Sequence, residues 1–222
     1  MTKQNSTLAY YEKNAESYAA RDFSGTFEEY RDLFVASVKE SRFKKQTCQG
    51  QEAESSVSPK PKVLELGSGS GRDAQNFLTH DFDVTPVDGS AVLARIAKER
   101  TGLDVLVMDF ADLDFEAEFD GVWAAASLLH VPSEKLPGVL KSVKRSLREN
   151  GVLVASFKEN DNDWHDDLGR YFCAMTESHL ADLISNSGFE LSAIEKKEGK
   201  GSDGKPTVWL WVVAQKQTLA FR

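Results

Sequence analysis

The sequence predicts an α/β protein with a doubly wound, mostly parallel seven-stranded sheet. Short apolar segments alternate with amphipathic segments between residues 63 and 157, and the first of them ends in a glycine-rich turn. Two further apolar segments, 189–196 and 207–215, are joined by a short polar connection. Strands that alternate with helices form parallel sheets with right-handed crossovers. Strands joined by a short connection pair antiparallel, so the last two form an antiparallel pair at one edge.

Two amphipathic helices are predicted ahead of the sheet, over residues 8–23 and 27–43. In the second helix, aromatic and aliphatic residues recur at spacings of three and four. Residues 44–62 are polar and aperiodic and contain glycine, serine and two prolines, which predicts a flexible linker. The expected organisation is an N-terminal helical cap over 1–43, this linker, and a core over 63–222, together forming a single domain.

Five strands are predicted along the first part of the core, at 63–66, 82–87, 103–108, 119–125 and 152–157. Helices are expected around 74–78, over 91–100, and after Ser133 as a helix N-cap. A further helix is expected to begin at Thr176, and Gly188 suits the position just after its end.

The composition argues against several classes of protein. The chain has 222 residues, with 27 Lys and Arg, 35 Asp and Glu, and a net charge of −8. This charge disfavours a nucleic-acid partner, whose phosphates it would repel. Cys48 and Cys173 are far apart in the sequence and lack the spacing of metal ligands, so no metal is expected. With no signal-peptide pattern and no membrane-length apolar run, we expect a cytoplasmic monomer or homodimer without a membrane partner.

Three features typical of ligand sites follow three consecutive predicted strands. Glycines at 67, 69 and 71 would let the backbone turn sharply and approach a ligand. Asp88 lies about 20 residues further on, where an acidic side chain binds a ribose diol. Asp109 and Phe110 follow the third strand, and a carboxylate beside a backbone N–H suits the edge of an adenine. Each feature alone has an ordinary alternative: a tight turn, a helix cap and a solvated acid. Their common position at strand ends predicts a ligand site.

The glycine spacing argues against a nicotinamide cofactor. Dinucleotide sites use Gly-x-Gly-x-x-Gly, whose third glycine would fall at position 72, where this chain has Arg72. The sequence also contains no Tyr-x-x-x-Lys pair. A nicotinamide-dependent oxidoreductase is therefore the weaker alternative.

The ordered run VLELGSGSGRD, VTPVDGS, VMDFADL, FDGVWAAASLLHVP and LRENGVLVASF resembles the class I S-adenosylmethionine-dependent methyltransferases. Within them the likeness is greatest to small bacterial enzymes of the tellurite-resistance and ubiquinone-biosynthesis types. It covers about residues 60–157 together with the N-terminal tyrosines. The resemblance implies a Rossmann-like fold, S-adenosyl-L-methionine as cofactor, S-adenosyl-L-homocysteine as product, and methyl transfer by in-line displacement.

The resemblance also implies cofactor contacts, position by position. The methionine part would contact Gly67, Ser68 and Gly69, and its amine would lie near Ala125 and Leu128. The ribose would be bound by Asp88. The adenine would lie beside Gly89 and Ser90, with Asp109 and Phe110 at its edge. Tyr11 or Tyr18 is expected to close over the cofactor, and Arg72 to reach its carboxylate.

The catalytic and acceptor-binding residues are less sharply defined. Methyl transfer from a sulfonium needs a general base only if the acceptor must lose a proton. His130, in the loop after the fourth strand, is the candidate base; packing at the start of the next helix is the alternative. The acidic and aromatic segment 158–174 is a candidate substrate lid through Trp164, Arg170 and Tyr171. Its aromatic residues could equally anchor the loop to the core.

The acceptor is expected to be a small molecule. The Asn/Asp-Pro-Pro-aromatic signature of enzymes that methylate amino groups of nucleic acids and proteins is missing after the fourth strand, at residues 124–129. The acidic net charge points the same way. A protein that binds the cofactor without catalysis remains the alternative, since no base is compelling.

Overall fold

The computed structural model describes residues 3–21, 27–48 and 59–217, and it confirms the α/β architecture. The helices are α1 (Lys3–Ala19), α2 (Glu28–Cys48), α3 (Arg72–Thr79), α4 (Ala91–Thr101), α5 (Leu136–Ser146) and α6 (Glu177–Asn186). The strands are β1 (Lys62–Leu66), β2 (Asp83–Asp88), β3 (Leu106–Val107), β4 (Phe119–Ala124), β5 (Leu147–Lys158), β6 (Trp164–His165), β7 (Tyr171–Phe172), β8 (Phe189–Lys200) and β9 (Pro206–Lys216).

Seven of these strands form one sheet in the order β3-β2-β1-β4-β5-β9-β8. The pairs from β3 to β5 are parallel, and β9 runs antiparallel to both β5 and β8. The chain moves outward from β1 to β3 and then returns to place β4 on the other side of β1. Such a reversal leaves a crevice at the carboxyl ends of the central strands.

The central strands are buried on both faces because helices cover both. Leu64, Val122 and Val154 are fully buried, as expected for parallel strands in a doubly wound fold. Helix α2 belongs to this core, since Phe34 and Val38 are also fully buried. The N-terminal segment predicted as a cap therefore contributes one layer of the fold itself.

Several predicted boundaries differ from the structure. Helix α1 begins at Lys3 and ends at Ala19 where 8–23 was predicted, and β5 begins at Leu147 where 152 was predicted. Helix α2 continues to Cys48, so the segment predicted as a linker from residue 44 begins inside a helix; residues 49–58 of that segment lie outside the described residues. Strand β3 has two residues where six were predicted, and both side chains are exposed at the edge of the sheet. Short edge strands are common because long ones offer unpaired backbone groups to other chains.

Of the two predicted helix caps, one is confirmed and one is wrong. The Thr176 hydroxyl accepts the backbone N–H of His179 at the start of α6. Helix α5 begins only at Leu136, and the Ser133 hydroxyl instead donates to Asp163. Segment 158–174 contains the antiparallel hairpin β6–β7, which the sequence pattern did not predict.

In the part of the chain that the structure describes, no helix combines the length and apolar character needed to cross a bilayer.

We predict that Gly121→Ala destabilises the fold. A Cβ at this position would lie 2.6 Å from Val38 Cγ2 and 2.8 Å from Phe34 Cζ, so α2 would have to move off the sheet. Overpacking of this kind costs about 1–3 kcal/mol, measurable by urea denaturation followed by circular dichroism. Gly138→Ala is the matched control, because a Cβ there meets nothing within 4 Å and helical alanine is favoured by about 0.5–1 kcal/mol. Equal stabilities of the two variants would contradict this packing.

Candidate active site

Two adjoining cavities occupy the crevice at the carboxyl ends of β1, β2 and β4. The small cavity has a volume of about 270 Å³, and the large cavity about 790 Å³. They share residues of α1, the glycine loop and the segment after β4: Tyr11, Tyr18, Gly67, Gly69, Ala125, Ala126 and His130. A ligand lying across these residues would therefore reach from one cavity into the other.

The glycine loop at 67–71 is fixed to the neighbouring strands. The backbone N–H groups of Gly67 and Ser68 donate to the Val87 carbonyl at 2.8 and 3.0 Å. Gly67 has a φ of 78°, and a Cβ there would lie 2.5 Å from Ser127 Cβ. Only glycine satisfies both the left-handed backbone and this close approach.

Asp88 ends β2 and lines the small cavity. One carboxylate oxygen accepts the Gly69 N–H at 2.7 Å, and the other accepts the Ser90 N–H at 2.8 Å. Burial raises the pKa of Asp88 to about 6, against the opposing effect of these N–H donors. Each oxygen retains acceptor capacity for one further donor, so the carboxylate can receive a pair of hydroxyl groups.

The far end of the small cavity is a slot that suits a flat ring. Asp109 and Phe110 line it together with Gly89. The Asp109 carboxylate accepts the Ala111 N–H at 2.9 Å and starts a single 3-10 turn. Leu8 of α1 closes the slot, since it would lie 3.3 Å from a Cβ at Gly89.

Tyrosines of α1 cover the junction of the two cavities. The Tyr18 ring lies over the glycine loop, 3.4 Å from the position of a Cβ at Gly69, and packs edge-on against Tyr11 with 5.3 Å between ring centroids. Burial raises the pKa of both phenols. Both hydroxyls are therefore neutral at physiological pH and can donate a hydrogen bond.

His130 lines both cavities, but both of its ring nitrogens already make hydrogen bonds within the protein, so neither is available to a methyl-accepting substrate. Its Nδ1 lies 2.6 Å from the Tyr171 carbonyl oxygen, and its Nε2 lies 3.0 Å from the Tyr11 hydroxyl. A carbonyl can only accept, so Nδ1 carries the proton and Nε2 accepts from Tyr11. Burial lowers the pKa of His130 to about 3. The candidate base is thus neutral and weak, and Tyr11 occupies its one accepting nitrogen.

Four of the predicted contact residues do not line either cavity. The fully buried Ser90 caps α4 by accepting the Leu93 N–H, and Leu128 is fully buried in the core. The Tyr171 hydroxyl donates to Asp163 at 2.7 Å, and Trp164 stacks on Phe172 with 4.5 Å between ring centroids. For Trp164 and Tyr171 this favours the alternative interpretation, in which the aromatics anchor the hairpin.

Arg72 and Arg170 do line the large cavity. The Arg72 guanidinium donates to the Arg21 carbonyl at 2.6 Å, at the end of α1, so its predicted contact with a cofactor carboxylate stays a prediction. Arg170 is 1% exposed and bound to Asp166 through Nε at 2.7 Å and Nη2 at 2.6 Å.

Several cavity residues were not predicted from the sequence. Thr7, Leu8, Met108, Ala126 and Ser127 line the small cavity, and Arg21, Phe27, Lys158, Ser202 and Trp209 line the large one. Lys158 did leave a signal, because it is a charged residue at the carboxyl end of a buried strand. Met108, Ala126 and Ser127 adjoin predicted contact residues in the sequence, whereas the others depend on contacts distant in sequence. No cluster of His, Cys, Asp and Glu suited to a metal occurs among the described residues.

Comparison with known proteins agrees with this geometry. Residues 63–151 match a family described as a methyltransferase domain. An uncharacterized methyltransferase of Staphylococcus carnosus is 26% identical over 207 residues, which cover 86% of this chain and 94% of that protein.

The chain contains a methyltransferase domain and has the fold of S-adenosylmethionine-dependent methyltransferases.

Two solved structures share the fold. The Burkholderia thailandensis 1,6-didemethyltoxoflavin-N1-methyltransferase, solved with S-adenosylhomocysteine, has a TM-score of 0.60 at 23% identity and covers 93% of this chain and 91% of its own. TehB from Haemophilus influenzae has a TM-score of 0.58 at 16% identity and covers 78% of this chain and 67% of its own. At these identities the likeness shows the fold alone. The methyltransferase family match sets aside the nicotinamide-dependent alternative.

We predict that His130 of this methyltransferase stays neutral between pH 5 and 9. Its lowered pKa of about 3 means that the folded protein takes up this proton only in strong acid. Nitrogen-15 NMR of labelled protein should show an Nδ1–H tautomer that does not titrate across this range. The Tyr11→Phe variant should keep that tautomer, since the Tyr171 carbonyl fixes it. A titration midpoint near 6.5, the ordinary value for histidine, would contradict the buried geometry.

Proposed function

We propose that this methyltransferase transfers the methyl group of S-adenosylmethionine to a small-molecule acceptor bound in the large cavity. The observation that carries this proposal is the pair of cavities that meet at Tyr11, Tyr18 and Ala125. One cavity offers groups suited to an adenosine. The other is large enough for a second reactant beside it.

The groups that line the small cavity support the proposed cofactor site. Asp88 would accept the two ribose hydroxyls, and Asp109 with Phe110 would border the adenine beside Gly89. The methionine part would then follow Gly67, Ser68 and Gly69 toward the junction, where the Ala125 carbonyl can accept its amine. This route brings the sulfonium to the wall shared with the large cavity.

The dimensions of the large cavity favour a small acceptor. Its volume of about 790 Å³ falls within the roughly 300–1,000 Å³ of small-molecule sites. The net charge of −8 disfavours a nucleic acid, and we propose neither a nucleic-acid nor a membrane partner. The acceptor named for the B. thailandensis enzyme, 1,6-didemethyltoxoflavin, is itself a small molecule. We retain a monomer or homodimer as the proposed assembly.

The mechanism we propose depends on alignment and exclusion of water, with little contribution from a base. In-line transfer needs the acceptor atom opposite the sulfur, and good alignment lowers barriers by up to about 7–11 kcal/mol. A histidine with a pKa of about 3 is a poor proton acceptor at neutral pH. The Tyr11–His130 pair would therefore orient the reactants. The acceptor atom would be nucleophilic before it binds, as an uncharged amine or an already ionised group is.

We predict that Asp88→Asn weakens binding of S-adenosylhomocysteine about tenfold or more. The ribose hydroxyls would lose a charged acceptor, and hydrogen bonds to charged groups are stronger than those between neutral groups. Isothermal titration calorimetry measures this directly. The pKa of Asp88, raised to about 6, means that the empty protein becomes protonated here as the pH falls below that value. Affinity of the wild type should therefore decline below about pH 6, and Asp88→Asn should lack this decline.

Asp114→Asn is the control, because Asp114 is an exposed loop residue, and it should bind as the wild type does. NADH should not bind any of the three proteins. If the folded wild type bound neither S-adenosylmethionine nor S-adenosylhomocysteine, the proposed site would be refuted.

A further inference from the structure

Lys158 is a buried cation without a partner in the part of the chain that the structure describes. It ends β5 at the carboxyl edge of the sheet, lines the large cavity and is only 7% exposed. Within the described residues its ammonium group makes no hydrogen bond and has no carboxylate within 4.0 Å. Buried charges are normally paired, because removing them from water is costly.

Aromatic rings surround the Lys158 ammonium. Its Nζ lies 4.3 Å from the ring centroid of Phe172, 5.6 Å from that of Trp164 and 5.8 Å from that of Trp209. Ring faces attract a cation but compensate only part of its lost hydration. Burial accordingly lowers the pKa of Lys158. The arrangement keeps a cation at the cavity wall with its hydrogen-bonding capacity unused.

The nearby acids are already engaged with other groups. Asp166 is bound to Arg170 at 2.6 Å. Asp203 lies 3.9 Å from Arg170 Nη2 and accepts the Lys205 N–H. Both carboxylates influence Lys158 through space, yet neither reaches its ammonium group.

The cavity as a whole carries the opposite charge to the protein. In a chain of net charge −8, its lining contains seven cationic and two anionic side chains: Arg21, Arg31, Arg72, Arg100, Lys158, Arg170 and Lys200 against Glu28 and Asp73. A cavity lined by one sign of charge concentrates ligands of the opposite sign.

We infer that the acceptor is a small aromatic acid, whose carboxylate or phosphate is bound by Lys158 while Phe172 and Trp209 contact its ring. This inference rests on the proposed function and names the class of acceptor. Lys158 is a binding residue in this account: it holds a group of the acceptor remote from the atom that receives the methyl.

The inference can be tested with fluorinated probes on the protein loaded with S-adenosylhomocysteine. Fluorine-19 NMR would follow the binding of 4-fluorobenzoate, 4-fluorophenyl phosphate and the neutral isostere 4-fluorobenzamide. At least one acid should bind saturably and the amide about tenfold more weakly or worse, the factor expected for loss of a charge-assisted hydrogen bond. A preference between the two acids identifies the anionic group.

Two substitutions separate charge from shape. Lys158→Met keeps an unbranched apolar chain and should reduce acid binding to the level of the amide, whereas Lys158→Arg should restore much of it. Lys141→Met, at an exposed position of α5, is the matched control and should change nothing. Binding of S-adenosylhomocysteine to each variant shows that it is folded.

Equal affinity for acid and amide, no binding of either acid, or unchanged acid binding in Lys158→Met would overturn the inference. If the wild type does not bind S-adenosylhomocysteine, the proposed function fails and this inference fails with it. If that product binds and the acids do not, only the inference fails.

Discussion

The buried carboxylate of Asp88 connects three backbone segments that form the cofactor site. Its two oxygens accept N–H groups from the glycine loop and from the start of α4, while its own backbone ends β2. These bonds hold the glycine loop and the start of α4 against the end of β2. The same two oxygens are the groups that would receive the ribose hydroxyls. Scaffold and recognition therefore depend on one ionisable side chain, whose raised pKa is the consequence of burying it.

A closed circuit of hydrogen bonds joins α1, which covers the site, to His130 and to β7. Tyr11 donates to His130, His130 donates to the Tyr171 carbonyl, and the Tyr171 N–H donates to the Thr7 hydroxyl at 2.8 Å. Thr7 and Tyr11 lie one turn apart on α1, so the circuit returns to the helix where it began. A protonated His130 could not accept from Tyr11, and the circuit thus requires a neutral imidazole. This explains why the best histidine candidate for a base is a structural element that orients the site.

The parts of the site that the sequence predicted are those encoded locally. The glycine loop, Asp88 and Asp109 each follow a strand directly, so the order of strands alone brings them to one edge. Ser90 and Leu128 belong to the same motifs, but which way a side chain points depends on packing, and both turn into the protein. Lys158, Phe172 and Trp209 meet only because β9 pairs with β5 and the β6–β7 hairpin folds back. The net charge of the chain also did not reveal the charge of the cavity, because a sum over the whole sequence hides a local excess of cations.

The central claim is that the cofactor lies across the junction of the two cavities, with its adenosine in the small one. The most direct measurement is a crystal structure of the protein with S-adenosylhomocysteine. The account predicts the ribose on Asp88, the adenine between Gly89 and Asp109, and the sulfur facing the large cavity beside Tyr11. An adenosine bound in the large cavity, or a product bound with no contact to Asp88, would contradict it.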